Sequence, residues 1–432
     1  MEERLIVDKA LQLGETWSGS IQVEEDGHYA IELIASANTN WQQLNNEGVM
    51  IRLYLNEAYQ QDFIIFYGQT PFNYKQLLGS LPSGTHQLKL EACHPQAVQL
   101  PIVNVDSIII KQLDYQSDEE LALQYAPKLY GRAVYSDYDN LYTDIPLEMI
   151  YFIEEWAYGK VIEYHIVFSH EDEGTPAKLL MAKWGRLLDI EYMARVYLTE
   201  ENKIDHIEYQ GAEHEIKRYH GELIEDRRPI LQTATCNGNF TDQITSDYSF
   251  SLLPSYHWQL SMEPREIVME KFPYINDVMF WEANRQLARE QLTDLQNYLL
   301  VQASVWNIEL GIPAIDFTCQ LKNDITIYSS SLNKWRNNHF WAAYTGPYRH
   351  FTVAIPLPEQ KRFSDMEKLS VRMINDAVPS VTVKGIKVLS YDQETGINVH
   401  LNETFQVQLT HEQSEQVIWR KTTGVSHYAD NL

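Results

Sequence analysis

The sequence predicts a mainly β protein: an N-terminal antiparallel β-sandwich followed by a larger β-rich sandwich module with one helical segment. Three observations carry this. From about residue 5 to 113 short runs alternate apolar and polar residues between Gly, Pro, Asp and Ser turns, as in sandwiches and not in βαβ units. The chain has 27 Tyr and 10 Trp, residues that favour pleated sheets. One stretch, Pro264 to Leu300, places Ala288, Leu292, Leu295 and Leu299 at helical spacing.

In the first module the spacing predicts strands over Ser18–Glu24, His28–Ala35, Val49–Leu55, Gln61–Tyr67, His86–Ala92 and Val105–Leu113, with turns at Asp26-Gly27 and Leu81-Pro82-Ser83-Gly84. These residues, 1–115, are expected to form an independent sandwich, and 116–432 a second module joined by a polar, acidic linker at Gln116–Leu123. Strands are expected there at Glu148–Ile153, Val161–Ser169, Ile190–Leu198 and Lys203–Tyr209. After the helical stretch they follow at Val301–Leu310, Ile315–Leu321, Ile325–Ser329, His350–Ile355, Ile386–Asp392 and Glu403–Leu409.

The formal net charge of −26 repels phosphate backbones and so excludes nucleic acid as a partner, while it suits a neutral or cationic ligand. No apolar run reaches the length of a membrane span, so no integral membrane segment is expected. Met1-Glu2-Glu3-Arg4 has neither a basic n-region nor an apolar h-region, no signal peptide is visible, and a cytoplasmic location is the default expectation. Cys93, Cys236 and Cys319 are far apart, which argues against a structural zinc site or a disulfide scaffold. Neither G-x-G-x-x-G, P-loop, H-E-x-x-H nor G-x-S-x-G occurs, which sets aside nucleotide-driven, zincin and α/β-hydrolase chemistry.

The densest polar pattern lies between Asp144 and Asp242. Residues two apart share one face of a strand. Glu163 and His165 therefore point one way, as do Asp189 and Glu191 from the next strand, and His206, Glu208 and Gln210 from the one after. Converging faces would build a carboxylate–imidazole cluster able to hold a divalent cation or to pair an acid with a base, with Arg186 or Arg195 compensating the charge. His214 lies between Glu213 and Glu215, and Trp335, His339, Trp341, Tyr344 and Tyr348 crowd around Gly346-Pro347 in a pattern suited to a sugar ring. The candidate catalytic residues are Asp189, Glu191 and Glu163. The candidate substrate-binding residues are Trp184, Arg186, His165, His214 and Trp341.

Two resemblances extend this reading. Gly27-His28-Tyr29, the Leu81-Pro82-Ser83-Gly84-Thr85-His86 turn and Val105-Asp106-Ser107-Ile108-Ile109-Ile110 make the first quarter of the chain similar to the galactose-binding-like sandwiches attached to many carbohydrate-active proteins. Tyr125-Ala126-Pro127-Lys128-Leu129-Tyr130, Thr143-Asp144-Ile145-Pro146-Leu147 and Lys183-Trp184-Gly185-Arg186-Leu187-Leu188-Asp189-Ile190-Glu191-Tyr192 make Tyr125 to His214 resemble vacuolar-protein-sorting-62-like and, more distantly, necrosis-inducing-type proteins. The latter resemblance implies a divalent cation, such as calcium, at Asp189 and Glu191. The Gly-His-Arg-His of that family is here Trp184-Gly185-Arg186-Leu187-Leu188, without a His. Together these readings imply a carbohydrate-active protein acting on a glycan or other small neutral ligand. A glycoside hydrolase or related glycan-processing enzyme is the first expectation. The alternatives are a non-catalytic glycan- or glycolipid-binding protein with a structural cation, and an interaction scaffold.

Overall fold

Eight strands build the N-terminal sandwich: β1 (Glu2–Gln12), β2 (Thr16–Val23), β3 (Gly27–Ala37), β4 (Val49–Leu55), β5 (Ala58–Ile65), β6 (Phe72–Leu81), β7 (Gly84–Cys93) and β8 (Ile102–Gln112). In the computed structural model, which describes residues 2–43, 46–93, 101–114, 117–133, 145–170, 175–285, 292, 294–308, 312, 314–331 and 342–421, they form two antiparallel sheets of order β1-β8-β3-β6 and β2-β7-β4-β5. Ile31, Leu33, Ile51, Leu53, Leu90 and Ile108 fill the space between. The two strands not anticipated, β1 and β6, are both sheet edges. β1 is largely exposed and charge-rich, so one of its faces lacks the apolar alternation that marks a strand.

The chain divides into two compact units, the first of Met1–Glu173, Leu188–Trp258 and Asn284–Leu287, the second of Gly174–Leu187, Gln259–Ala283 and Ala288–Leu432. The sandwich shares its unit with most of 117–258, because it is bonded to it: Leu77 donates its amide to the Ser251 carbonyl, Gln76 accepts from Ser251, and Asp62 accepts from Ser249.

The rest of the first unit contains helix α1 (Ser117–Gln124), β9 (Lys128–Tyr130), β10 (Pro146–Trp156), β11 (Gly159–Phe168), β12 (Asp189–Thr199), β13 (Ile204–Gln210), β14 (Ile216–Arg218), β15 (Leu223–Ile224), β16 (Arg228–Thr233), β17 (Phe240–Thr241), β18 (Ser249–Phe250) and β19 (Pro254–His257). A six-stranded sheet runs β14-β13-β12-β11-β10-β19, antiparallel except for β10 against β19. A smaller sheet runs β15-β16-β9-β18 with β17 on β16.

The second unit holds helices α2 (Ala177–Trp184), α3 (Val268–Lys271) and α4 (Tyr274–Ala283), then β20 (Tyr298–Trp306), β21 (Ile315–Leu321), β22 (Ile327–Ser329), β23 (His350–Pro356), β24 (Met366–Met373), β25 (Ser380–Asp392), β26 (Gly396–Thr410) and β27 (Glu415–Arg420). Sheets β23-β20-β25-β26 and β22-β21-β24-β27 enclose one core that includes Val301, Phe317, Ile355, Leu369 and Val388. The helical segment expected over Pro264–Leu300 consists of a 3₁₀ turn (Arg265–Ile267) running into α3, then α4. Pro273 separates the two helices, because it cannot donate the backbone bond that would join them. Of the expected stripe, Ala288 lies outside the described residues, Leu295 sits in a 3₁₀ turn, and Leu299 is in β20 opposite Ile355. Burial in a sheet core overrides a helix-compatible leucine spacing.

Candidate functional site

The six-stranded sheet carries most of the polar residues singled out in the sequence, and its register decides which of them meet. Directly opposite residues of an antiparallel pair share a face. Glu163 is opposite Phe152 on β10 and Arg195 on β12, Arg195 is opposite Glu208 on β13, and Glu208 is opposite Arg218 on β14. One face thus carries a row of alternating charge, Glu163–Arg195–Glu208–Arg218. The next row on the same face is Glu154, Val161, Tyr197 and His206. The row on the other side is Ile150, His165 and Tyr192.

At its buried end this face is a closed polar network. His165 Nε2 lies 2.7 Å from Glu163 Oε1, and Arg195 Nε donates to Glu163 Oε2. His165 is walled in by Phe152, Tyr192 and Trp258, the last fully buried. Burial pushes the Glu163 carboxyl up, but the His165 and Arg195 partners outweigh it and hold it below the ordinary carboxylate value. The Arg195 guanidinium covers the Tyr192 ring at 4.5 Å, and the Tyr192 hydroxyl is buried with no hydrogen-bond partner among the described residues.

Towards the other end the face opens. The Tyr197 and His206 rings stack at 4.1 Å with 9° between planes, and Trp156 meets both edge-on at 5.1 and 5.9 Å. Tyr158, 67% exposed, packs edge-on against Trp156 at 5.1 Å. Tyr197 donates its hydroxyl to Glu208 at 3.2 Å, and His206 Nδ1 lies 2.6 Å from Asp205 Oδ2. Four rings therefore form a shelf with carboxylates at its rim.

Asp189 and Glu191 are on the opposite face, which corrects the expectation of a shared cavity. They pair with Phe168 and Ile166, and these alternate with Val167 and His165 along β11. The sequence showed the i, i+2 pairs but not the one-residue offset between them, and in a strand one residue changes the face. The loop carrying Gly238 closes over this pair: a Cβ on Gly238, at φ +61°, would lie 2.9 Å from Asp189 Oδ2 and 3.0 Å from Glu191 Cγ. Glu191 accepts from the Gln210 amide, and His214 Nδ1 stands 3.9 Å from Glu191 Oε2 with its Nε2 3.2 Å from Asn237 Nδ2. The cation implied by resemblance is not matched by these residues, since Gly238 covers the pair and Gln210 occupies Glu191. Among the described residues no group of three or more His, Cys, Asp or Glu is placed to hold a metal ion.

Trp184 and Arg186 belong to the second unit. Trp184 ends α2, and Gly185 terminates the helix in the left-handed conformation, φ +64°. Trp184 packs edge-on against Tyr344 at 5.5 Å, and the buried Arg186 pairs with Glu266 at 3.1 Å. The Lys183–Arg186 part of the run that carries the second resemblance is thus a helix end with a buried ion pair. Trp341, Trp335 and His339 lie outside the described residues. The residues missed in the sequence are Trp156, Tyr158 and Tyr197. Their signal was weak, because Trp156 and Tyr197 are 41 positions apart and meet only through strand pairing.

No family model and no curated protein matches the chain, so the resemblance of Tyr125 to His214 to vacuolar-protein-sorting-62-like proteins finds no support there. Among solved structures, the CBM36-1 domain of a multidomain xylanase from the hindgut metagenome of Trinervitermes trinervoides is 14% identical, with TM-score 0.21, over 26% of this chain and 88% of that one. A CBM36 carbohydrate-binding module in complex with calcium and xylotriose is 16% identical, with TM-score 0.20, over 25% of this chain and 88% of that one. The CBM6cm-2 module from Cellvibrio mixtus lichenase 5A in complex with cellotriose is 16% identical, with TM-score 0.19, over 24% of this chain and 75% of that one.

Proposed function

We propose that this protein binds glycans on the open end of the six-stranded sheet and does not cleave them. The observation that carries the reading is the shelf of Trp156, Tyr158, Tyr197 and His206, rimmed by Glu208 and Asp205. A sugar is apolar on its C–H face and polar around its edge, so it matches rings bordered by hydrogen-bonding groups. Hydrolysis would require two carboxylates facing one another across the scissile bond, about 5–10 Å apart. Glu163 is instead committed to Arg195 and His165, Asp189 and Glu191 lie on the other face under Gly238, and at the shelf Glu208 is bonded to Tyr197 and Asp205 to His206.

The test is calorimetric titration of the full chain with a panel of oligosaccharides, repeated on Tyr197→Ala and Trp156→Ala. Binding lost in both variants, with no reducing ends released by the wild type, supports the reading. Binding unchanged in both, or turnover of the glycan, defeats it.

A further inference from the structure

We infer that the glycan taken by this shelf carries positive charge, as a polymer of unacetylated amino sugars does; the inference rests on the glycan-binding reading above. Three carboxylates border the rings. Glu154 is exposed and stands in the same cross-strand row as Tyr197 and His206. The Asp205 side chain is 46% exposed beside His206, and Glu208 reaches Tyr197 on one oxygen while its other oxygen is 3.9 Å from His206 Nε2. The cations on this face do not balance them. Among the described residues of these rows Arg195 is engaged by Glu163, and Arg218, opposite Glu208, and His206, beside Asp205, stand against three carboxylates.

An ammonium group finds two complementary partners in such a place. The ring faces attract a cation through their quadrupoles, and carboxylates at the rim accept its N–H bonds. The field of the whole chain, −26, draws cations towards the surface and repels sulfated or uronate-rich glycans.

The experiment compares three probes on the full chain at about pH 6, below the usual range of amines: a glucosamine tetramer, the N-acetylglucosamine tetramer of the same backbone, and cellotetraose. The inference expects the glucosamine tetramer to bind about tenfold tighter than either neutral probe. That preference falls as salt is raised, and the ratio of charged-probe to neutral-probe affinity falls several-fold in Asp205→Asn and in Glu208→Gln. Neutral tetramers binding as tightly as the charged one overturn the cationic inference and leave the glycan reading standing. No tetramer binding at all, with Tyr197→Ala indistinguishable from wild type, removes both.

Discussion

Glu163 and Arg195 stand directly opposite one another on β11 and β12, and the guanidinium and the His165 imidazole share one buried carboxylate between them. A carboxylate so held is a structural anchor. It fixes the floor on which the open half of the face is laid, and its charge is not free for chemistry.

That anchor gives the fold an acid limit. The Glu163 carboxyl sits below its ordinary value of 4.5 in the folded protein. Its contribution to stability is therefore fully present above about pH 4.5 and is lost as pH falls through the lower folded value. Glu163→Gln should cost roughly 2–4 kcal/mol at neutral pH, because Arg195 loses its partner in a half-closed site. Urea midpoints taken from pH 3 to 7 should show a shallower acid slope in the variant, and an equal slope would contradict the assignment.

Lys128 acts in the same direction in an alkaline window. Burial, reinforced by the nearby Arg228 guanidinium, lowers its amine from 10.5 to about 8, although the side chain still donates to the Gln60 carbonyl. Between those two values the unfolded chain holds a proton that the folded chain has released, so this group makes stability rise with pH by at most about 3 kcal/mol. Other groups titrate in the same window, so the quantity to measure is the difference between wild type and Lys128→Met from pH 8 to 10. A difference that does not change with pH would refute it.

Because Asp189 and Glu191 face away from the shelf, Asp189→Asn and Glu191→Gln should leave oligosaccharide affinity unchanged within about twofold. A loss comparable to that of Tyr197→Ala would move the binding site to the other face of the sheet.

Gly238→Ala should destabilise the first unit. The left-handed backbone alone costs a side chain about 1–2 kcal/mol, and the new methyl must also displace the buried Asp189 carboxylate. Thermal unfolding should fall by several degrees, and an unchanged midpoint would mean that the loop does not close on the pair.

In the second unit Asp316 is buried, takes two parallel bonds from Arg372 at 2.8 and 2.9 Å, and accepts from the Ser329 and Ser331 hydroxyls. Asp316→Asn should cost about 3 kcal/mol, since the amide cannot accept on both atoms and the guanidinium loses its counter-charge. Arg372→Met in the same background should add little, and an additive loss would show that the two side chains act separately.

The sequence by itself determined the strand content and much of the strand placement. Val49–Leu55 and Ile315–Leu321 coincide with β4 and β21, because alternation with period two is local information. It also placed Glu163 with His165, Asp189 with Glu191, and His206 with Glu208, each on one face of its own strand. What only the tertiary structure decided is how those faces combine. Register sets Glu163 against Arg195 and turns Asp189 and Glu191 to the far side, a bulge at Met193 shifts one strand by a residue, and pairing of β10, β12 and β13 brings Trp156, Tyr197 and His206 together. The same holds for Leu299, whose spacing fits a helix but whose burial opposite Ile355 makes it a strand residue. Pattern within a segment is encoded locally, whereas register is fixed by contacts between segments far apart in the chain.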